Sequence, residues 1–185
     1  NITSIEGGMV ITNSKKIAKS IISSRNHGLT KSLKNRFSKG KPWDYDVIEP
    51  GYNYRLDEIR SALGLNQLKR IKKINLQRKI ACDYYNSKLK NIPGVIIPSY
   101  SISSTSSYHL YIIKITNDFK ISRDELFKKL LDAGIQTSVH YKPLHEFTIL
   151  KTKGKINDKL KTTTKLYNQI ISLPLYQNIT RKEQN

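Results

Sequence analysis

Apolar residues recur along the chain in blocks whose period changes, and the blocks predict its elements. Met9-Val10-Ile11-Thr12 reads as a strand. Asn13-Ser14 turns or caps the chain into a helix over 15–23, with Ile17, Ile21 and Ile22 as its apolar stripe. The stretch RNHGLTKSLKNRFSKGKPWDYDVIEPGYNYR has no period and carries Gly28, Gly40, Pro42, Pro50 and Gly51. It reads as a long loop, and loops of this length in compact domains are usually functional. From Leu56 to about Lys90 a helical period returns through Leu56, Ile59 and Leu63, then Leu65, Leu68 and Ile71. Asp57 and Glu58 fall in its first turn and lysines dominate later, the order that the helix dipole favours.

Pro93-Gly94 ends that helix, Val95-Ile96-Ile97 is a short strand, and SYSISSTSS is a polar loop. A second strand is expected over 108–115, with Leu110, Ile112 and Tyr108 on one face. Ser122-Arg123-Asp124-Glu125 is a capping box, and Gly134 stops the helix it opens. A third strand is expected over 135–141, and a helix from about 158 to 171 leads into SLPLY. Thr180-Arg181-Lys182-Glu183 is another capping box, announcing a helix two residues before the last residue. Both ends are therefore expected to be cut from a longer chain. The elements divide into a piece of one domain over 1–55, a long connecting helix over 56–92, and a small α+β domain over 93–185.

Composition narrows the partners. A chain of 185 residues with 37% hydrophobic and 25% charged residues is ordinary for a globular protein. No apolar run reaches the ~18 residues that a membrane span needs, so no membrane partner is expected. The charge is not ordinary: 33 Lys+Arg against 14 Asp+Glu leave +19. Such a balance raises nucleic acid, anionic lipid or phosphorylated small molecules as partners. The cations are spread from Lys15 to Lys182, however, and the densest run, Lys69 to Lys73, lies inside a helical pattern. That is the distribution of a solvated surface, and nucleic acid is not expected. The single cysteine, Cys82, excludes an internal disulfide framework and a four-cysteine metal site, and a reducing cytoplasm is the expected compartment.

The chain holds neither a Walker phosphate loop nor the dinucleotide glycine pattern. His140 and His145 match no zinc motif, so no metal is expected. Three local clusters say more. Arg25-Asn26-His27-Gly28 puts a cation and an imidazole at a helix-to-loop junction. Gly51-Tyr52-Asn53-Tyr54-Arg55 puts an amide, two phenols and a guanidinium before a helix N-terminus, a setting suited to phosphate oxygens. Val139-His140-Tyr141-Lys142-Pro143 ends a strand with three polar groups. Singly, each aromatic reads as packing and each charge as a solvated face; together they shift the balance toward a site.

EGGMVITN, RNHG, GYNYRLDEIRSALGLNQLKRI, YHLYIIKI, GIQTSVHYKPLH and SLPLY follow one another in this order. The sequence resembles the C-terminal half of DegT/DnrJ/EryC1/StrS-type aminotransferases, pyridoxal-phosphate enzymes that aminate nucleotide-linked keto-sugars. The resemblance implies an α/β fold of fold type I: the end of the large cofactor-binding domain over 1–55, then the connecting helix, then the small C-terminal domain. It implies transamination with pyridoxal 5'-phosphate as cofactor, an amino-acid donor (usually glutamate) and a nucleotide-sugar substrate. The Schiff-base lysine is expected immediately before Asn1, so no catalytic residue is expected within the chain. Asn53 is the implied ligand of the cofactor phosphate, reaching into the neighbouring subunit of a homodimer with composite active sites. Arg55, His27, His140 and Tyr141 are implied ligands of the donor carboxylate or the sugar diphosphate. His109 is a further one, in a stretch that also reads as core strand. One departure stands out: Ile5 replaces the first glycine of the usual Gly-Glu-Gly-Gly, which is expected to alter that turn. Two other readings stay open: a relative that dehydrates a deoxysugar, with histidine for the lysine, and a lysine-less regulatory or nucleic-acid-binding relative.

Overall fold

A computed structural model describes residues 1–30, 41, 43–100, 105–154 and 160–185. The middle of the long loop, the start of the polar loop after Tyr100, and the first residues of the helix expected from about 158 lie partly or wholly outside these. Contacts divide the chain into two units, residues 2–69 and residue 1 with residues 70–185.

The first unit holds helices α1 (Lys15–Ser24) and α2 (Glu58–Lys69). Ser14 caps α1, its hydroxyl accepting from the Ile17 N–H. The Asp57 carboxylate accepts the Arg60 N–H at 2.8 Å, as a residue opening α2 does. Neither helix buries a side chain. Met9 to Thr12 does not form the expected strand. A strand exists only by pairing, and among the described residues nothing pairs with this run.

The second unit opens with α3 (Ile71–Leu89), which buries Ile74, Ala81, Cys82 and Tyr85. The helix expected over 56–90 is thus two helices. Arg70, at φ −101° and ψ 0°, sits between them without any proline or glycine to signal a break. The difference lies in burial: α3 is drawn into a core and α2 is not. Strands β1 (Val95–Ile96), β2 (Tyr111–Ile115) and β3 (Ile170–Leu173) form an antiparallel sheet in that order. Val95 faces Ile115, and Tyr111 to Lys114 face Leu173 to Ile170.

The β2 face that enters the core is Tyr111, Ile113 and Ile115, the opposite parity to that expected from the sequence. Tyr108 lies at φ +51°, outside the strand, and the chain reaches β2 one step out of phase with it. The core joins those three to Cys82, Tyr85 and Ile171, with Leu126, Phe127 and Leu130 packed against it. Two buried phenols keep partners: Tyr85 donates to the Pro174 carbonyl at 2.9 Å and Tyr111 to Asn86 Oδ1 at 2.7 Å. Burial pushes the Cys82 thiol up to about 11, so it is a small apolar core residue.

Helix α4 (Arg123–Asp132) begins with the complete Ser122–Glu125 capping box and ends just before Gly134. The strand expected over 135–141 is reduced to one bridge, Ser138 to Ser172. The helix expected to reach 171 ends early: α5 (Thr148–Lys153) and α6 (Lys161–Tyr167) precede β3, whose Ile171 and Ser172 are buried. Thr180 and Glu183 complete the second capping box on α7 (Arg181–Gln184), whose Gln184 side chain donates to the Ala81 carbonyl on α3 at 3.0 Å.

Candidate functional site

In the first unit the two polar motifs of the long loop lie against each other. The His27 N–H donates to the Tyr52 carbonyl (3.0 Å), the Tyr54 N–H to the Arg25 carbonyl (2.9 Å), and Asn26 bridges Asn53. The crossing is possible because both partners are glycines there. A Cβ on Gly28, whose φ is +69°, would lie 1.8 Å from the Glu49 carbonyl oxygen, and one on Gly51 would lie 2.2 Å from the Gly28 nitrogen. Tyr52 and Tyr54 stack with ring centroids 4.9 Å apart and planes 8° apart. Alternation along an extended stretch puts Asn53 on the other side.

Asn53 is exposed, and its Oδ1 accepts from Arg55 Nε at 2.8 Å. That bond fixes the orientation of the amide: Nδ2 carries the remaining donors and meets no acceptor among the described residues. Arg25 Nε is committed to the Tyr54 carbonyl at 3.3 Å, while the exposed His27, at φ +62°, sits at the turn itself. The donors and cations here suit an anionic group. Pyridoxal phosphate fits them through its phosphate: an oriented amide with free N–H groups beside a guanidinium is a donor set for such oxygens.

The second unit holds the other predicted residues. His140 is half-buried, with Nδ1 2.8 Å from the hydroxyl of Ser172, and its ring stands edge-on to the exposed ring of Tyr141, centroids 4.6 Å apart. Ser172 is held in turn by paired backbone bonds with Ser138, 2.8 and 3.2 Å. His145 turns to the Thr164 hydroxyl at 3.1 Å. His109 Nδ1 lies 3.1 Å from Asn1 Oδ1. Partial removal from water holds the His109 imidazole below its ordinary value, and the nearby Arg78 guanidinium adds to that.

Sequence reasoning missed Ser172, Asn75 and Arg78. Ser172 is the first residue of the quoted SLPLY motif, but its pairing with His140 spans 32 positions. Asn75 and Arg78 fall within the helix expected over 56–90, where nothing in the sequence singles them out. Arg78 Nη1 donates to the carbonyls of Tyr108, His109 and Leu175 at 3.0–3.2 Å.

The fold defines a class first: it is shared with solved aminotransferase structures. The aminotransferase PseC of Helicobacter pylori, involved in the biosynthesis of pseudoaminic acid, superposes with a TM-score of 0.79 at 28% identity, over 93% of this chain and 44% of that one. Spr1654 of Streptococcus pneumoniae in its PLP form superposes with a TM-score of 0.77 at 27% identity, over 95% and 42%. The family follows. Residues 1–185 match the DegT/DnrJ/EryC1/StrS aminotransferase family, and the chain belongs to it. A UDP-4-amino-4,6-dideoxy-N-acetyl-beta-L-altrosamine transaminase of Campylobacter jejuni is 34% identical over 98% of this chain and 46% of its own length. The chain spans about half the length of the curated relatives it matches.

Proposed function

We propose that the protein carrying this chain moves an amino group from an amino acid, glutamate, to a nucleotide-linked keto-sugar. The observation that carries this reading is the family match over the whole chain, supported by a UDP-sugar transaminase among its relatives. Pyridoxal 5'-phosphate, when bound, supplies the electron sink and carries the nitrogen between the two substrates.

Asn53 donates through Nδ2 to a phosphate oxygen, with Arg55 fixing the amide and adding positive charge. His27, Arg55, His140 and Tyr141 bind anionic groups of the substrates, the donor carboxylate or the sugar diphosphate. Ser172 orients the His140 ring. The lysine that holds the cofactor precedes Asn1, and the protein works as a homodimer in the cytoplasm, with Asn53 serving the partner's site. Among the described residues no helix is long and apolar enough to cross a membrane.

The test uses the complete protein with pyridoxal phosphate, glutamate and a UDP-linked 4-keto-sugar. Conversion to an aminosugar, read by mass spectrometry, with one 2-oxoglutarate formed per amine, is the expected result. A product that has lost a hydroxyl without gaining nitrogen points to dehydration instead, and no product with any amino acid removes the reading altogether.

A further inference from the structure

Asn1 belongs to the second unit and spends its whole side chain there. Its Nδ2 donates to Asn75 Oδ1 on α3 at 2.7 Å and to the Ser107 carbonyl. Its Oδ1 can only accept, so the facing His109 Nδ1, 3.1 Å away, carries the hydrogen. The backbone beneath it is equally fixed. Arg78, one turn along α3 from Asn75, grips the carbonyls of both Tyr108 and His109, and Tyr108 is bent into the left-handed region at φ +51°. A non-glycine residue there is strained and persists where its surroundings over-determine it.

We propose that Asn75 and His109 form a clamp on Asn1 that fixes the backbone of the residue before it, making both positioning residues for the cofactor-bearing lysine. The inference rests on the function proposed above, in which that lysine precedes Asn1. It gives His109 a task other than touching substrate: its Nδ1 hydrogen is committed to Asn1. A lysine side chain has four rotatable carbons, so the precision of its amine depends on how firmly its own backbone is held. Three bonds on the very next side chain supply that hold without occupying the site.

The complete protein is prepared with pyridoxal phosphate as wild type, Asn75→Ala, His109→Ala and His109→Asn. Asparagine offers an N–H close to where Nδ1 stood, so it is the conservative variant. Borohydride reduction followed by peptide mapping first shows whether the cofactor sits on the residue preceding Asn1. The visible band of the bound cofactor is then titrated with pH, and kcat and KM for the sugar are measured beside the unfolding temperature. Asn75→Ala and His109→Ala should each move the midpoint of the spectral titration by about half a pH unit or more and lower kcat about tenfold, with KM for the sugar unchanged. His109→Asn should recover most of both. A raised sugar KM with an unmoved titration makes His109 a substrate ligand and overturns the clamp. A lowered unfolding temperature with neither kinetic nor spectral change reduces it to a structural contact. If the wild-type label lies elsewhere, the proposed function falls and the clamp with it; a correct label with indifferent variants sinks the clamp alone.

Discussion

Ile5 shows what a single residue type can hide. A β-branched side chain at φ +70° occupies a backbone region that glycine adopts freely, and it is 64% exposed, so it gains little by packing. The turn therefore keeps a glycine-like conformation although the glycine is gone. Left-handed backbone costs a non-glycine residue about 1–3 kcal/mol, while glycine adds about 0.5–1 kcal/mol of chain entropy in the unfolded state. Ile5→Gly in the complete protein is thus expected to stabilise it by about 1 kcal/mol in urea unfolding, and a loss of stability would show that the isoleucine side chain packs usefully. Asn53 makes the converse case, where residue type alone announces the role. A hydrogen bond to a charged group is worth about 1.5–3 kcal/mol, so Asn53→Ala should weaken cofactor affinity by about ten- to a hundredfold, read by equilibrium dialysis. Asn53→Asp should weaken it further, because a carboxylate then faces a phosphate; unchanged affinity in both variants would leave Asn53 as a turn residue only.

Elements were legible from the sequence wherever local chemistry decides them. Ser14, Ser122 and Thr180 all cap helices as their neighbours imply, because a cap and its partner lie three residues apart. What fails is parity and period in apolar runs. Tyr108 to Ile115 is apolar on both faces except for His109 and Lys114, so alternation cannot say which face is buried. Ile170 and Ile171 continue a helical stripe as well as they begin a strand. Site partners fail for the same reason: Ser172 and Arg78 meet theirs only through the fold. The β2 assignment is checked by paired substitutions. Ile113→Ala empties a buried site and should cost about 2–5 kcal/mol, while Ile112→Ala, on the other face, should cost well under half of that; equal losses would refute the register. The start of α4 offers a pH test. The Ser122 backbone N–H, then its hydroxyl, hold the Glu125 carboxyl below its ordinary value of about 4.5. A depressed folded value means stability that is present above about pH 4.5 and lost as pH falls through the lower, folded value. Wild type should therefore exceed Glu125→Gln in stability near neutral pH, and the two should converge well below pH 4; a gap independent of pH would exclude the charge as its source.

At the scale of the molecule the two units differ in kind. The second has a sheet, helices α3 and α4 on a shared core, and buried phenols with partners. The first buries no side chain among its described residues, and leaves Met9 84%, Ile11 90% and Ile59 79% exposed. Its helices, of 10 and 12 residues, are at the length where an isolated helix is marginal in water. Apolar surface of this kind is stable only when something covers it, and the chain spans about half the length of its curated relatives. The charge pulls the same way, since 14 acidic residues cannot neutralise 33 basic ones and the excess repels itself. Native-state hydrogen exchange separates the consequences. In this chain by itself, amides of β2 and of the buried turns of α3 should be protected to the level of global unfolding, whereas those of α1 and α2 should exchange orders of magnitude faster. In the complete protein the α1 and α2 amides should slow toward the level of β2, because the rest of the protein then covers Met9, Ile11 and Ile59. Equal protection of both units in the chain alone would mean that the first unit is self-sufficient despite having no core. Fast exchange persisting in the complete protein would mean that its exposed face meets some other partner, and that its order in the complete protein is not supplied by the rest of the chain.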